Sequence, residues 1–419
     1  MIGPEAATSE DAARPARRDR NVMCWLAGLS STHVGNSVYF FALGWSAQKA
    51  GGPIEVAMLM TAGLLPRVLL MLVGGVVADL VDPRRLVLAS DGLRCVLVLV
   101  LAADYMWSAP VWWILVTVAV GFGVVDAVYV PALGALAPRI TSPDQLARVA
   151  GLRSVSMRLA QICGPLSGGA AMGLGGPGVA FTLASLLFAL SLPFLFATQL
   201  RAGETDGASG QSLLSLRASV EDMLDGLRYI RRHRLIGRLI VTSAVGEFGL
   251  ASILNVGWVF LDVERGWGPS GYGWMGGSFS AAAALSASLL AVAGRVPCPG
   301  ILLSVAMLAG CAGAAAITLA STLRLAMVMA AVMGLAAGVF GTVDNVLLQV
   351  VTDRAYLGRV TSFAMLAVVG LAPLGYPIVG TAIEVWGPAP TIAAFSGFMG
   401  GGAVIAFLSR AVRRAELPR

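Results

Sequence analysis

Twelve stretches of this chain are apolar over roughly the 20 residues that a helix needs to cross about 30 Å of hydrocarbon. They cover approximately 22–46, 54–79, 86–103, 109–136, 149–173 and 177–199, and then 238–262, 271–294, 300–320, 325–351, 360–383 and 388–409. A segment inside a bilayer must pair its own backbone N–H and C=O groups, so runs of this length are expected to be helices. With 57% hydrophobic and 12% charged residues among 419, the apolar content exceeds what a soluble core of this size can hide. The expected class is an all-α membrane protein.

An even number of passes puts both ends of the chain on one side, and the arginines say which. Arg14, Arg17, Arg18 and Arg20 precede the first stretch, Arg84 and Arg85 follow the second, and Arg410, Arg413 and Arg414 follow the last; the opposite loops hold only Lys49, Arg265 and Arg324. By the positive-inside rule both termini are expected in the cytoplasm, with the protein in the plasma or inner membrane. Orientation thus accounts for the net charge of +6, and no nucleic-acid partner is expected. Residues 1–21 are expected to be a disordered cytoplasmic tail and not a signal peptide, because no short apolar core with a cleavage site precedes the first long run. Two six-helix bundles, 22–199 and 238–409, are expected to flank a cytoplasmic linker at 200–237, with a second tail at 410–419. Within the linker Leu213, Leu216, Val220, Met223, Leu227 and Ile230 recur at helical spacing, which predicts an amphipathic surface helix with Arg228, Arg231, Arg232 and Arg234 near anionic headgroups. The five cysteines show no CxxC spacing, so neither disulfides nor a metal site is indicated.

A gap-free shift of 211 residues superimposes the halves at several points. Val34, Gly35 and Asn36 fall on Val245, Gly246 and Glu247; Arg84 falls on Arg295 and Gly123 on Gly334. Leu146, Arg148 and Val149 fall on Leu357, Arg359 and Val360, and Gly164, Gly169, Gly176 and Pro177 on Gly375, Gly380, Gly387 and Pro388. One offset shared by widely separated segments marks a duplicated six-helix unit. Two repeats enclosing a midplane site and rocking to expose it alternately are the plan of a secondary transporter.

Three stretches make the chain resemble a twelve-helix member of the major facilitator superfamily, most similar to the bacterial branch of macrolide and enterobactin exporters. The first is "GGVVADLVDPRR", residues 74–85, with Gly75, Asp79, Arg84 and Arg85 in register with the family's loop between its second and third helices. It departs at Leu80, where that loop usually carries a basic residue, and at Pro83. The second, "GLRSVSMRLAQICGPLSGG", fits the family's antiporter motif through Gly151, Ala160, Gly164, Pro165, Gly168 and Gly169, with Ala160 in place of one glycine. The third, "LLQVVTDRAYLGRV", carries Gln349, Gly358 and Arg359. The arginine-containing fourth-helix motif of many proton-coupled exporters is missing from "WWILVTVAVGFG". Physically, Asp79 at a helix end could meet a positive helix N-terminus while Arg84 and Arg85 meet carboxylates or lipid phosphate, a conformational latch. The small residues of the second stretch form a groove for close helix approach, and its proline bends the helix. Gly164→Leu is accordingly expected to impair transport more than folding.

Charges at mid-depth cost several kcal/mol unless paired or wetted. They are Arg67, Asp126, Arg158, Glu247 and Asp344. Asp126 has Arg67 and Arg158 in its own half, so a structural salt bridge and a substrate contact are both open. Glu247 and Asp344 have no evident basic partner, and a desolvated carboxylate without a cation suits a proton carrier. Glu247 is the first candidate for proton coupling, then Asp344 and Asp126. The resemblance places the first, fourth, seventh and tenth helices around a central cavity, where His33, Asn36, Tyr39 or Phe40, Tyr129 and Asn255 are substrate candidates. Trp107, Trp112, Trp113, Trp267 and Trp386 fall near helix ends and read as interfacial anchors.

The function expected is export of an amphipathic small molecule (a drug, natural product or siderophore) in exchange for protons, as in multidrug efflux. A monomer in contact with membrane lipid is expected, with the proton gradient as energy source and no cofactor. A proton- or cation-coupled importer is the nearest alternative. A membrane-embedded enzyme or sensor is disfavoured, since there is no HExxH, paired Cys/His set or nucleotide loop, and neither terminus adds a soluble domain.

Overall fold

The structure, a computed structural model, describes residues 19–107, 111–141, 145–199, 224–294 and 298–408. The tails, most of the linker and residues 213–223 of its expected amphipathic helix lie outside the described residues. The helices are α1 (Arg20–Ala50), α2 (Pro53–Leu80), α3 (Pro83–Trp107), α4 (Trp112–Ile140), α5 (Leu146–Ala197), α6 (Arg234–Ser252), α7 (Trp258–Arg265), α8 (Gly268–Ala293), α9 (Pro299–Ile317), α10 (Leu323–Val351), α11 (Leu357–Trp386) and α12 (Pro388–Leu408). Among the described residues nine helical segments are long and apolar enough to cross a membrane, counting Arg234–Arg265 as one. The chain is a multi-pass membrane protein.

The 52 residues of α5 make two passes, because the helix breaks at Gly175 and Gly176. Gly176 has φ +75°, in the left-handed region where a side chain is strained, and it precedes Pro177. Gly387 before Pro388, at the same place in the second half, has φ +83°. Other repeated glycines also do matching work. A Cβ on Gly123 would lie 2.1 Å from the Gly63 carbonyl of α2, and one on Gly334 would lie 2.1 Å from the Phe279 carbonyl of α8. The duplication read from the sequence is thus repeated as a pattern of close helix crossings.

The end of the bundle holding Arg20 and Leu408 is here the termini face; the end holding Gly51 and Gly266 is the opposite face. At the termini face Asn21 and Gln199 exchange hydrogen bonds of 2.7 and 2.6 Å, fastening the first pass to the sixth. The described contacts between the halves run from the opposite face to mid-depth. A Cβ on Gly169 would lie 2.9 Å from the Gly273 Cα of α8, and one on Gly380 would lie 2.6 Å from the Ala57 Cβ of α2. Thr61 donates to the Pro373 carbonyl at 3.2 Å, and Phe41 stacks on Tyr272 with ring centroids 4.6 Å apart.

Between α6 and α7, residues Ile253–Gly257 form a π-helical turn. The Tyr272 hydroxyl donates to the Leu254 carbonyl at 3.1 Å, bracing that turn from α8.

These crossings divide the glycines of the 151–169 stretch. Gly164 packs inside its own half, where a Cβ would lie 2.2 Å from the Ser37 Cβ, while Gly169 packs between halves. Gly164→Leu is therefore expected to cost stability as well as transport, since overpacking a contact of this kind typically costs about 1–3 kcal/mol. Gly164→Leu should lower the thermal unfolding temperature. Gly169→Leu should instead pry apart the opposite face and raise thiol labelling of Ser270→Cys, measured in opened membrane fragments that the reagent reaches from both sides. Equal labelling in the Gly169→Leu background would refute the division.

Candidate functional site

The first half holds a buried charge network. Arg94 on α3, 1% exposed, donates to Asp91 at 3.1 Å and also to Asp126 on α4. Arg67 of α2 reaches the other Asp126 oxygen at 3.4 Å. Thr32 of α1 and Ser191 of the sixth pass donate to Asp91 at 2.5 and 2.8 Å. The Arg94 guanidinium lies over the Tyr129 ring, 3.9 Å from its centroid. Two carboxylates and two guanidiniums thus neutralise one another while joining five passes, which is how buried charge is tolerated in a membrane.

This network alters several sequence expectations. Arg67 does pair with Asp126, but the second partner is Arg94 and not Arg158, which is half-buried elsewhere on α5. Tyr129 is buried with the Arg94 guanidinium over its ring, and it is not among the residues that line the two cavities described below. Tyr39 is fully buried and stacks on Phe122 with centroids 4.1 Å apart, one helical step of about 100° from the cavity-lining Phe40. His33 is half-buried, with its Nε2 enclosed and without a hydrogen-bond partner. Asp91 and Arg94 were absent from the sequence candidates. Two opposite charges three residues apart in the middle of an apolar span cannot both snorkel to water, and that spacing was the available signal.

Asn36 and Asn255 do come together. With Phe40, Gln161, Tyr272 and other residues they line a cavity of about 430 Å³ between the halves, beneath the contacts of the opposite face. Asn255 sits in the π-helical turn, its amide donating to the Ala251 carbonyl at 2.8 Å.

The second half contains its own cavity of about 290 Å³, lined by Ser243, Glu247, Met307, Met333, Phe340, Asp344, Asn345 and neighbours. Ser243 donates to one Asp344 oxygen at 2.8 Å; the other oxygen is buried without a hydrogen-bond partner. No lining residue among those described is basic. Glu247 lies 13 residues into α6, which starts at Arg234, four residues before the expected span, and is therefore about 20 Å from the termini face.

The 211-residue shift relates the two sites. Ser243, Met333, Ala337 and Phe340 of this cavity are the counterparts of Thr32, Phe122, Asp126 and Tyr129 in the charge network. Where the first half places an aspartate gripped by arginines, the second has alanine. The same location is filled in one half and hollow in the other.

At the termini face Arg84 donates to the Phe196 carbonyl and lies over its ring at 5.5 Å, while exposed Arg85 adds its backbone N–H, with that of Arg84, to the Asp82 carboxylate capping α3. This corrects the carboxylate or lipid partner expected for Arg84: it holds the end of the sixth pass, a favourable place for a cation. Gly75 faces open space, and the Asp79 side chain lies outside those described. In the antiporter stretch Gly151 is also open, Ala160 is buried, Gly168 packs on Phe41, and Pro165 lines the cavity between the halves. The described end of the linker, helical over 224–232, docks on the second half. Asp225 pairs with Arg359 at 3.1 Å, and Tyr229 donates to Asp353 at 3.0 Å and stacks on Tyr356. Arg228, Arg231, Arg232 and Arg234 remain exposed.

Comparison with known proteins agrees with this architecture. No curated protein matches the chain. Among solved structures, a bacterial homologue of the human lysosomal transporter Spinster, in an inward-facing and unoccupied conformation, superimposes with a TM-score of 0.70 at 15% identity, covering 95% of this chain and 98% of that one. A mutant of the nucleoside transporter NupG gives 0.71 at 11% identity, covering 92% and 99%. A POT family transporter in complex with 5-aminolevulinic acid gives 0.70 at 12% identity, covering 93% and 96%. Residues 25–296, more than half of the chain, match the family model of the Major Facilitator Superfamily. Two six-helix halves related by duplication, the shared transporter fold and this match together make the chain a member of the Major Facilitator Superfamily.

Proposed function

We propose that the protein exports an amphipathic small molecule by proton antiport, using alternating access across the plasma or inner membrane. One observation carries the reading: the buried acids of the first half, Asp91 and Asp126, are neutralised by arginine, whereas Glu247 and Asp344 share an apolar cavity whose described lining has no cation. The first half thus serves as a fixed frame and the second supplies the proton site, Glu247 foremost. Substrate contacts the cavity between the halves through Asn36 and Asn255. The proton gradient is the energy source, and the unit is a monomer in contact with lipid. Export, in preference to import, is supported by the antiporter stretch at 151–169.

Inverted vesicles test this with a panel of dyes, macrolides and siderophores. Uptake that requires an acidic lumen is the expected result. Proton-dependent loss from preloaded vesicles would identify an importer, and transport indifferent to the gradient would remove proton coupling.

On this reading the termini face is cytoplasmic and the conformation is inward-facing, with bundles at 22–199 and 238–409 and a cytoplasmic linker between. Single cysteines at positions 12, 215 and 415 should resist an impermeant thiol reagent in intact cells, and one at 52 should react. Strong labelling at 215 in sealed cells would invert the topology.

A further inference from the structure

A third cavity, of about 240 Å³, lies between α1 and α5 in the first half. Its walls include Trp25, Val149, Arg153, Ser154 and Met157. Trp25 lies 5 residues into α1 and Arg153 7 residues into α5, so both are about 8–10 Å from the termini face. The Arg153 Nε and the Trp25 indole Nε1 are each buried with no hydrogen-bond partner. Both groups can only donate, and Ser154 adds a hydroxyl. None of the described lining residues is acidic. Arg153 is half-buried, with its Nε enclosed and no carboxylate among the described lining residues, whereas the Arg94 charge is met by two carboxylates.

We infer that this cavity is a binding site for the anionic group of an amphipathic molecule, a carboxylate or phosphate held by Arg153 with Trp25 and Ser154. The planar guanidinium matches either anion with two parallel hydrogen bonds. Val149 and Met157 supply apolar wall for an alkyl portion. A free amphipathic anion entering from the termini face and a lipid headgroup present the same chemistry. The site is separate from Glu247 and Asp344 and does not depend on proton coupling.

Calorimetric titration of the full chain in phosphatidylcholine nanodiscs, with empty nanodiscs subtracted, tests the inference with octanoate and octanol as probes. Octanoate should bind about tenfold or more tightly than octanol, the scale of a charge-assisted hydrogen bond. Arg153→Gln should abolish that preference, Arg153→Lys should keep part of it, and Trp25→Phe should weaken octanoate by a smaller factor. Arg148→Gln, at an exposed position on the same helix, should leave it unchanged. Adding phosphatidylglycerol distinguishes the sources: a headgroup occupant makes octanoate binding fall with anionic lipid content, and a free anion as ligand leaves it constant. Equal affinity of the wild-type chain for octanoate and octanol would overturn the proposal, as would an undiminished preference in Arg153→Gln of unchanged thermal stability.

Discussion

Glu247→Gln should bind substrate and lose uphill transport. The amide keeps the shape of the side chain and removes its titration, so facilitated exchange down a substrate gradient should survive while accumulation against one disappears. Glu247 sits about 20 Å from the termini face, a depth that the proposed alternating-access mechanism exposes to each side of the membrane in turn. Its cavity offers no cation among the described residues, so charge on the carboxylate depends on water entering or leaving. Substrate and proton then compete through the conformations each favours. The measurement is accumulation in inverted vesicles under an imposed pH gradient, beside equilibrium exchange in the same preparation. Wild-type accumulation by Glu247→Gln would transfer the role to Asp344, whose second oxygen is already unpartnered, and Asp344→Asn would be the next variant.

Arg94→Met should be the most destabilising single change in the first half. It leaves Asp91 without its cation and Asp126 with only the longer contact to Arg67, in a fully buried setting. Removing one partner of a buried ion pair costs about 3–5 kcal/mol, because the remaining charge is uncompensated. The variant should show a large fall in thermal unfolding temperature, and Asp91→Asn combined with Arg94→Met should recover part of it. If Arg94→Met unfolds at the wild-type temperature, the network is not what holds the five passes together.

The passes and their duplication were legible because both rest on patterns that packing cannot override: apolar length, and glycines recurring at one offset. Gly176 and Gly387 show this best, since a left-handed backbone before proline is written directly into the residue type. Side-chain direction was less legible. Phe40 and Tyr39 are neighbours in sequence, yet one lines the cavity and the other stacks face to face on Phe122 inside the first half, a difference set by how α1 is rotated against its neighbours. Asp91 and Arg94 escaped because their stretch was read for length, and two charges that cancel each other barely interrupt a long apolar run. Gly164 and Gly169 share a motif but face different partners, which the spacing of small residues cannot express.

The π-helical turn at Ile253–Gly257 gives the seventh pass a stored register step. A π turn accommodates one residue more than an α turn, so tightening it into α-helix would rotate everything beyond by about 100° and draw it along the axis by about 1.5 Å. Only α7 and the Gly266 corner lie beyond it; Glu247, on the near side, would stay in place. The Tyr272 hydroxyl on the Leu254 carbonyl is the catch that holds the extra residue, and its ring is already engaged with Phe41 of the other half. Parting of the halves at the opposite face would therefore pull the catch, letting one end of a helix turn like a key while the end that carries Glu247 remains still.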